Sequence, residues 1–279
     1  MEDCCRGRQA FLLAKRIISA LIAIPLGILI AYEGKLFFLS VILFITVTGL
    51  YELRNLMLRM NLRLPPLLMY GNGVLFPVVV YFLNGSNQAL SLYAIVTFSL
   101  MLCLTAMIIS FPRYSAAEIA VSYLGSSYIG ILISYLLIIR HMSPDGFYYL
   151  LYLLIMTWAY DAGAYFAGVY LGRHRLYPAL SPKKTLEGLA GGLLLTVGAA
   201  LVFQRLHPIG SCFDTVALSL LIGVFVQVGD LVESALKRMA NVKDSGTMIP
   251  GHGGVLDRFD GLLFSAPVAY LFLKLVLFR

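Results

Sequence analysis

Charge is what this 279-residue chain has least of. Lys, Arg, Asp and Glu make up 13% of it, against about a quarter in soluble domains. That scarcity excludes an ordinary water-soluble globule. Acids are the rarer sign, 14 Asp and Glu against 21 Lys and Arg, for a net charge of +7. Tryptophan occurs once and cysteine four times. None of Cys4, Cys5, Cys103 and Cys212 forms a C-x-x-C pair, so neither a zinc site nor a disulfide framework is indicated. Cys103 and Cys212 read as small hydrophobes; the adjacent Cys4 and Cys5 are either acylated or incidental. The chain has no repeat of fixed period. It also lacks G-x-x-x-x-G-K-[ST], which excludes a P-loop NTPase.

What is present is apolar sequence in long runs, with 60% hydrophobic residues overall. Runs of about 20 apolar residues can cross the hydrocarbon core as helices. They do not alternate apolar with polar, which argues against a membrane β-barrel. The sequence therefore predicts an all-α polytopic membrane protein with about nine transmembrane helices. The expected spans are 11–32, 35–53, 66–83, 88–111, 119–139, 146–171, 185–206, 213–230 and 260–278. Basic residues precede the first run, but no small-x-small cleavage site follows it, so it reads as an uncleaved span.

Orientation follows from Lys and Arg. With the N-terminus in the cytoplasm, the inside group holds Arg6, Arg8, Lys15, Arg16, Arg54, Arg59, Arg63, Arg113, Arg173, Arg175, Lys183, Lys184, Lys237, Arg238, Lys243 and Arg258. The outside group is only Lys35, Arg140, Arg205, Lys274 and Arg279. The expected C-terminus is thus outside. The positive charge is explained by this flanking pattern, and no nucleic-acid partner is expected. The N-terminal region, 1–145, has about five spans nearly free of acids. The C-terminal region, 146–279, has about four spans with acids in or beside them, and a cytoplasmic loop expected at 231–259.

Three stretches carry candidate chemistry. In "WAYDAGAYFAG", Asp161 is the lone charge of its span, a placement costing a few kcal/mol at mid-membrane. It either faces a polar cavity or cation, or pairs with a basic residue on another helix. Tyr165 falls one turn on, and the small residues around Gly163 and Gly168 favour close helix packing. In "SPKKTLEG", Ser181-Pro182 signals a turn, Lys183 and Lys184 suit phosphate, and Ser181 or Thr185 can cap the next helix. The stretch is either a phosphate wall or a capped basic loop.

The third stretch runs from Gln227 to Asp260. On a helix, Asp230, Glu233, Ser234 and Lys237 share one face, with Arg238 at its edge. Taken alone, that face is a salt-bridged helix. Asp230, however, directly ends an apolar run, at the membrane boundary. Beyond it, "PGHGGVLDRFD" offers Gly253 and Gly254 for backbone approach to an anion, and Asp257 and Asp260 at i, i+3. His252 is a phosphate donor, a base or a loop-packing residue. Carboxylates for a hard cation, cations for phosphates and glycines for backbone contact are the parts of phosphoryl or nucleotidyl transfer.

The run "SALKRMANVKDSGTMIPGHGGVLDRFD", Ser234 to Asp260, resembles the signature of the phosphatidate cytidylyltransferases (CDP-diacylglycerol synthases). That pattern is S-x-hydrophobe-K-R, four residues, K-D-x-small, two residues, then hydrophobe-P-x-H-G-G-hydrophobe-x-D-R-hydrophobe-D. Every fixed position is met. "WAYDAGAYFAG" and "SPKKTLEG" resemble the family's upstream segments in the right order, so the resemblance covers about 157–265. It implies a helical membrane enzyme, usually a homodimer. The chain's length favours a bacterial inner membrane over an organelle or archaeal one, and the Lys and Arg bias puts the site on the cytoplasmic face. The resemblance also implies CTP and phosphatidate as substrates, CDP-diacylglycerol and pyrophosphate as products, and Mg²⁺ with room for a second cation.

By motif, the resemblance makes Asp230, Asp257 and Asp260 metal-site carboxylates, with Asp161 and Glu233 as outer members. Lys237, Arg238, Lys243 and Arg258 would hold CTP phosphates or the lipid headgroup, with Lys237 counted in the catalytic group. Ser181, Lys183, Lys184 and Thr185 would form a second phosphate wall. Ser234, Asp244, His252, Gly253 and Gly254 would complete the substrate site. Two other readings compete: a CTP-dependent transferase for ether or polyprenyl lipids, and an ion-coupled transporter. The transporter requires mid-span acids on several helices, and only Asp161 lies deep.

Overall fold

The computed structural model describes residues 25–83, 88–246 and 253–277. Cys4, Cys5, His252, Arg279 and most of the expected first span lie outside the described residues. Helix α1 covers 25–33. It is followed by α2 (Lys35–Arg59), α3 (Pro66–Phe82), α4 (Gln88–Ile109), α5 (Ala116–Arg140) and α6 (Gly146–Tyr170). A short hairpin, β1 (Arg175–Tyr177) and β2 (Ser181–Thr185), precedes α7 (Leu186–Leu206), α8 (Cys212–Met239) and α9 (Leu256–Phe272). A π-helical turn, Leu273–Leu277, extends α9. Among the described residues six helices are long and apolar enough to cross a membrane: α2, α5, α6, α7, α8 and α9 with its extension. α3 and the Tyr93–Ile109 part of α4 are shorter apolar helices.

Local sequence accounts for the boundaries. Ser115 and Ser211 open α5 and α8 with capping boxes closed by Glu118 and Asp214. Thr185 caps α7, its hydroxyl accepting from the Gly188 amide at 3.0 Å. Of the two capping residues expected there, Thr185 is the one used. Helices α2 and α8 both close on an asparagine in the left-handed region, Asn61 (φ 62°) and Asn241 (φ 54°). Leu62 N–H reaches Met57 O, and Val242 N–H reaches Lys237 O, the six-to-one bond of a Schellman motif.

Two expectations about the chain are corrected. Ser181-Pro182 is not a turn but the start of β2, and the turn is at 178–180, where Leu180 N–H donates to Tyr177 O. Among the described residues the fold is therefore helical with one two-stranded antiparallel hairpin. The expected loop at 231–259 is shorter, because α8 runs on to Met239 and α9 starts at Leu256. At 28 residues, α8 is about 42 Å long. The hydrocarbon core is about 30 Å thick, so the ends of α8 project beyond it.

Because the helices alternate in direction, the connections at 60–65, 110–115 and 171–185 and the segments 240–246 and 253–255 gather at one end of the bundle. Contacts bind them there: Arg63 N–H donates to Glu118, and Arg238 Nε donates to Leu180 O. At the opposite end, Arg140 donates to the carbonyls of Ala31 and Tyr32. The hydrophobic core draws on α2, α5, α6, α8 and α9 alike, so the two regions share one interior. Small residues let α6 and α7 approach closely. A Cβ on Gly163 would lie 2.5 Å from Gly191 O, too near for any other residue.

Candidate active site

The acids of the signature separate into two clusters at the gathered end. The first surrounds the start of α9. Lys237 Nζ lies 2.7 Å from Asp257 Oδ1 and also pairs with Glu233, one turn back on α8. Glu233 is fully buried and the Lys237 side chain is 14% exposed. Asp257 Oδ2 accepts from Gly254 N–H at 2.8 Å and Ser245 N–H at 3.1 Å. Lys237 is thus flanked by two carboxylates, and Asp257 ties the α8–α9 connection to both helices.

The key residue of this cluster is one that sequence reasoning missed. Glu52, on α2, is 1% exposed. One of its oxygens accepts from Val255 N–H at 2.9 Å. The other accepts from Leu256 N–H at 2.8 Å and faces the Ser245 hydroxyl at 3.3 Å. These amides open α9, where the first N–H groups have no intrahelical partner and the helix dipole favours an anion. Glu52 is therefore an N-terminal cap supplied from a helix about two hundred residues earlier in the chain. Gly254 is required by its closeness: a Cβ there would come within 2.6 Å of Glu52 Oε2. A lone acid in "YELRNL" gave no signal beyond its position at the end of an apolar run.

The second cluster is more open. Asp161 of α6, Asp230 of α8 and Asp260 of α9 lie within electrostatic reach of one another. Their neighbouring cations are Lys184, on β2, and Arg258. Lys184 Nζ is 2.5 Å from Asp230 Oδ2. Asp230 and Asp260 are brought together because α8 and α9 touch at Gly229, where a Cβ would meet the Asp260 backbone. Asp161 is exposed, and so is the side chain of Asp230 at 40%. Tyr165 is exposed as well. Tyr128 of α5 stands between the clusters, with both Asp260 and Glu233 acting on it electrostatically.

Several expected site residues have other duties here. Asp257 is not with Asp230 and Asp260; it belongs to the Glu233–Lys237 cluster. The Gly254 N–H expected to meet an anion donates to Asp257, and Gly253 adopts the left-handed backbone (φ 85°) of that turn. Lys237 holds internal carboxylates rather than a free face. Arg238 braces the hairpin and donates to Val242 O. Ser234 is buried. Lys183, Lys243, Asp244 and Arg258 are exposed, and Ser181 is half-buried in β2. Lys243 and Asp244 line a cleft of about 840 Å³ with Glu52, Asn55, Arg59 and Ser245. That volume is within the range of ligand pockets, roughly 300–1,000 Å³.

Among the described residues no three His, Cys, Asp or Glu side chains are placed to hold a metal ion together. Mg²⁺ needs fewer, one or two carboxylates completed by water and substrate phosphate. Asp230 and Asp260 can supply that number, and Asp161 adds negative charge beside them. The donor set therefore fits Mg²⁺ held jointly with a substrate, rather than in a closed protein cage.

Fold and site together define a polytopic helical membrane protein with an acidic, lysine-flanked site at one end of its bundle. The chain belongs to the Cytidylyltransferase family, which it matches over residues 14–276. It is 35% identical over 262 residues to a phosphatidate cytidylyltransferase of Bacillus subtilis, covering 94% of this chain and 97% of the relative. Proteins of the same name from Staphylococcus saprophyticus and Staphylococcus epidermidis are each 31% identical, over 259 and 264 residues. In both, 92% of this chain and 98% of the relative are covered. The chain is accordingly a nucleotidyltransferase.

Proposed function

We propose that the protein transfers the cytidylyl group of CTP to phosphatidate, giving CDP-diacylglycerol and pyrophosphate. The observation that carries this reading is the second cluster: acids of α6, α8 and α9 with Lys184 of β2 beside them, in a chain similar throughout to phosphatidate cytidylyltransferases. A lipid phosphate oxygen attacks the α-phosphorus of CTP in line. The bond from that phosphorus to the β-phosphate bridging oxygen breaks, and pyrophosphate leaves with the electron pair. The attacking monoester is mostly dianionic near pH 7, its second pKa being about 6. It needs no base and forms no covalent enzyme intermediate.

The chain's own residues position and neutralise. Asp230 and Asp260, with Asp161 behind them, would hold Mg²⁺, which when bound neutralises charge on the transferring and leaving phosphates. Lys184 pairs with Asp230 and would be free to meet a substrate phosphate if Mg²⁺ were bound there. Exposed Lys183, Lys243 and Arg258 steer the nucleotide. Glu52 and Asp257 fix the start of α9, and so the position of Asp260.

The basic connections at the site end favour the cytoplasmic face of a bacterial inner membrane, with the N-terminus inside and the C-terminus outside. There CTP arrives from the cytosol and phosphatidate arrives sideways from the bilayer. A homodimer is the assembly expected. The test is incorporation of cytidine-labelled CTP into lipid by purified protein. Label in a chloroform-soluble product only when phosphatidate is present supports the reading; label remaining in water-soluble products refutes it.

A further inference from the structure

The α2–α3 and α4–α5 connections enclose a second cavity at the site end, of about 310 Å³. Arg54, Arg63 and Arg113 line it with Leu58, Pro66 and Tyr114, and no acid is among its described lining residues. Three guanidinium groups around one small space repel one another unless an anion joins them. Arg54 Nε is buried and has no hydrogen-bond acceptor among the described residues. A buried donor without an acceptor is costly and rare in folded proteins. Arg113 is held over the Tyr114 ring, 5.5 Å from its centre. Arg63 is held by its amide, which donates to Glu118 Oε1 at 2.8 Å, the carboxylate that closes the capping box of α5. The Arg63 amide thus ties the α2–α3 connection to the start of α5, and the three arginines meet at one cavity.

The flanks of this cavity are apolar and uncovered. Leu67, Ile108, Ile109 and Phe111, on the same connections and helix ends, are between 76% and 89% exposed. A cationic hole beside bare hydrocarbon-facing side chains matches a molecule with a phosphate at one end and acyl chains at the other. Guanidinium forks suit phosphate oxygens in particular.

We propose that Arg54, Arg63 and Arg113 form a binding site for the phosphate headgroup of an anionic phospholipid, distinct from the acidic cluster. Arg54 follows Glu52 by two residues on α2, and Leu58 lines both this cavity and the larger cleft. A lipid seated here thus bears on the helix that caps α9. Its occupant is a phosphate-bearing lipid, either phosphatidate on its way to the site or a resident diester lipid.

The test uses the full chain in phosphatidylcholine nanodiscs, comparing wild type with Arg113→Gln, an exposed position, and with Arg54→Gln. Bound lipid is read by native mass spectrometry as phosphatidate, phosphatidylglycerol or inorganic phosphate is added. Wild type should retain one added lipid, and each variant should bind it about tenfold more weakly, as expected for one lost charge-assisted contact. Loss confined to phosphatidate identifies a monoester site, and equal loss of phosphatidylglycerol identifies a general anionic-lipid site; both support the proposal. Equal retention by wild type and Arg113→Gln overturns it. So does wild-type binding of inorganic phosphate in the absence of any lipid preference. Retention of phosphatidylglycerol, which is not a substrate of the proposed reaction, is the readout that separates this site from the catalytic reading.

Discussion

Replacing Glu52 by alanine should disable the site without touching any residue near the second acidic cluster. The substitution removes the acceptors of Val255 N–H and Leu256 N–H and a partner of the Ser245 hydroxyl. A buried donor left unsatisfied costs about 1–3 kcal/mol, so the two amides alone represent about 2–6 kcal/mol. The helix can escape part of that cost only by moving its first turn towards water. That turn carries Asp257, and Asp260 follows one turn later. A displacement of about 1 Å at reacting groups can cost about a hundredfold in rate. The expected outcome is pyrophosphate release from CTP and phosphatidate lowered about a hundredfold. Faster hydrogen exchange at Val255 and Leu256 should accompany it, with the protein still helical. Glu52→Gln keeps one acceptor oxygen but turns an NH₂ towards a backbone N–H, and should fall between the two. An alanine variant with near wild-type turnover and unchanged exchange would show that Glu52 does not hold the start of α9.

Other variants separate structural from chemical roles. Asp230→Asn should abolish Mg²⁺-dependent turnover while leaving thermal stability in detergent nearly unchanged, because its side chain is 40% exposed. Asp257→Asn should lower both turnover and melting temperature, since its carboxylate serves Lys237, Ser245 and Gly254. Lys237→Met leaves buried Glu233 and Asp257 facing one another, and should cost about 3–5 kcal/mol in chemical unfolding; adding Glu233→Gln should recover part of it. Gly254→Ala forces a methyl against the Glu52 carboxylate and should melt at lower temperature, whereas Gly198→Ala, which meets nothing within 4 Å, should not.

Much of the bundle was legible in the sequence because the bilayer imposes long apolar runs, and helix ends here carry their own caps. Asn61 and Asn241 end helices as left-handed residues, yet α8 outlasted its apolar run. Its last turns are polar because they project past the membrane, so hydropathy alone ended the span near Asp230. The i, i+4 spacing of Glu233 and Lys237 correctly pointed to a pair on one helix face. Which acid joined which cluster was not legible, since it depends on how α8 and α9 cross at Gly229. Glu52 escaped notice for the same reason: its partners, Val255 and Leu256, are amides on a distant helix, and backbone N–H groups leave no mark in composition or spacing.

The acids at the meeting of α6, α8 and α9 are proposed to run a metal-assisted cytidylyl transfer. The most direct measurement is pyrophosphate release by the purified protein, with CTP, phosphatidate and Mg²⁺ each omitted in turn, for wild type and Asp260→Asn. Release should require all three, with one pyrophosphate per CDP-diacylglycerol formed, and none should come from Asp260→Asn. Release without the lipid acceptor, or full turnover by folded Asp260→Asn, would contradict it.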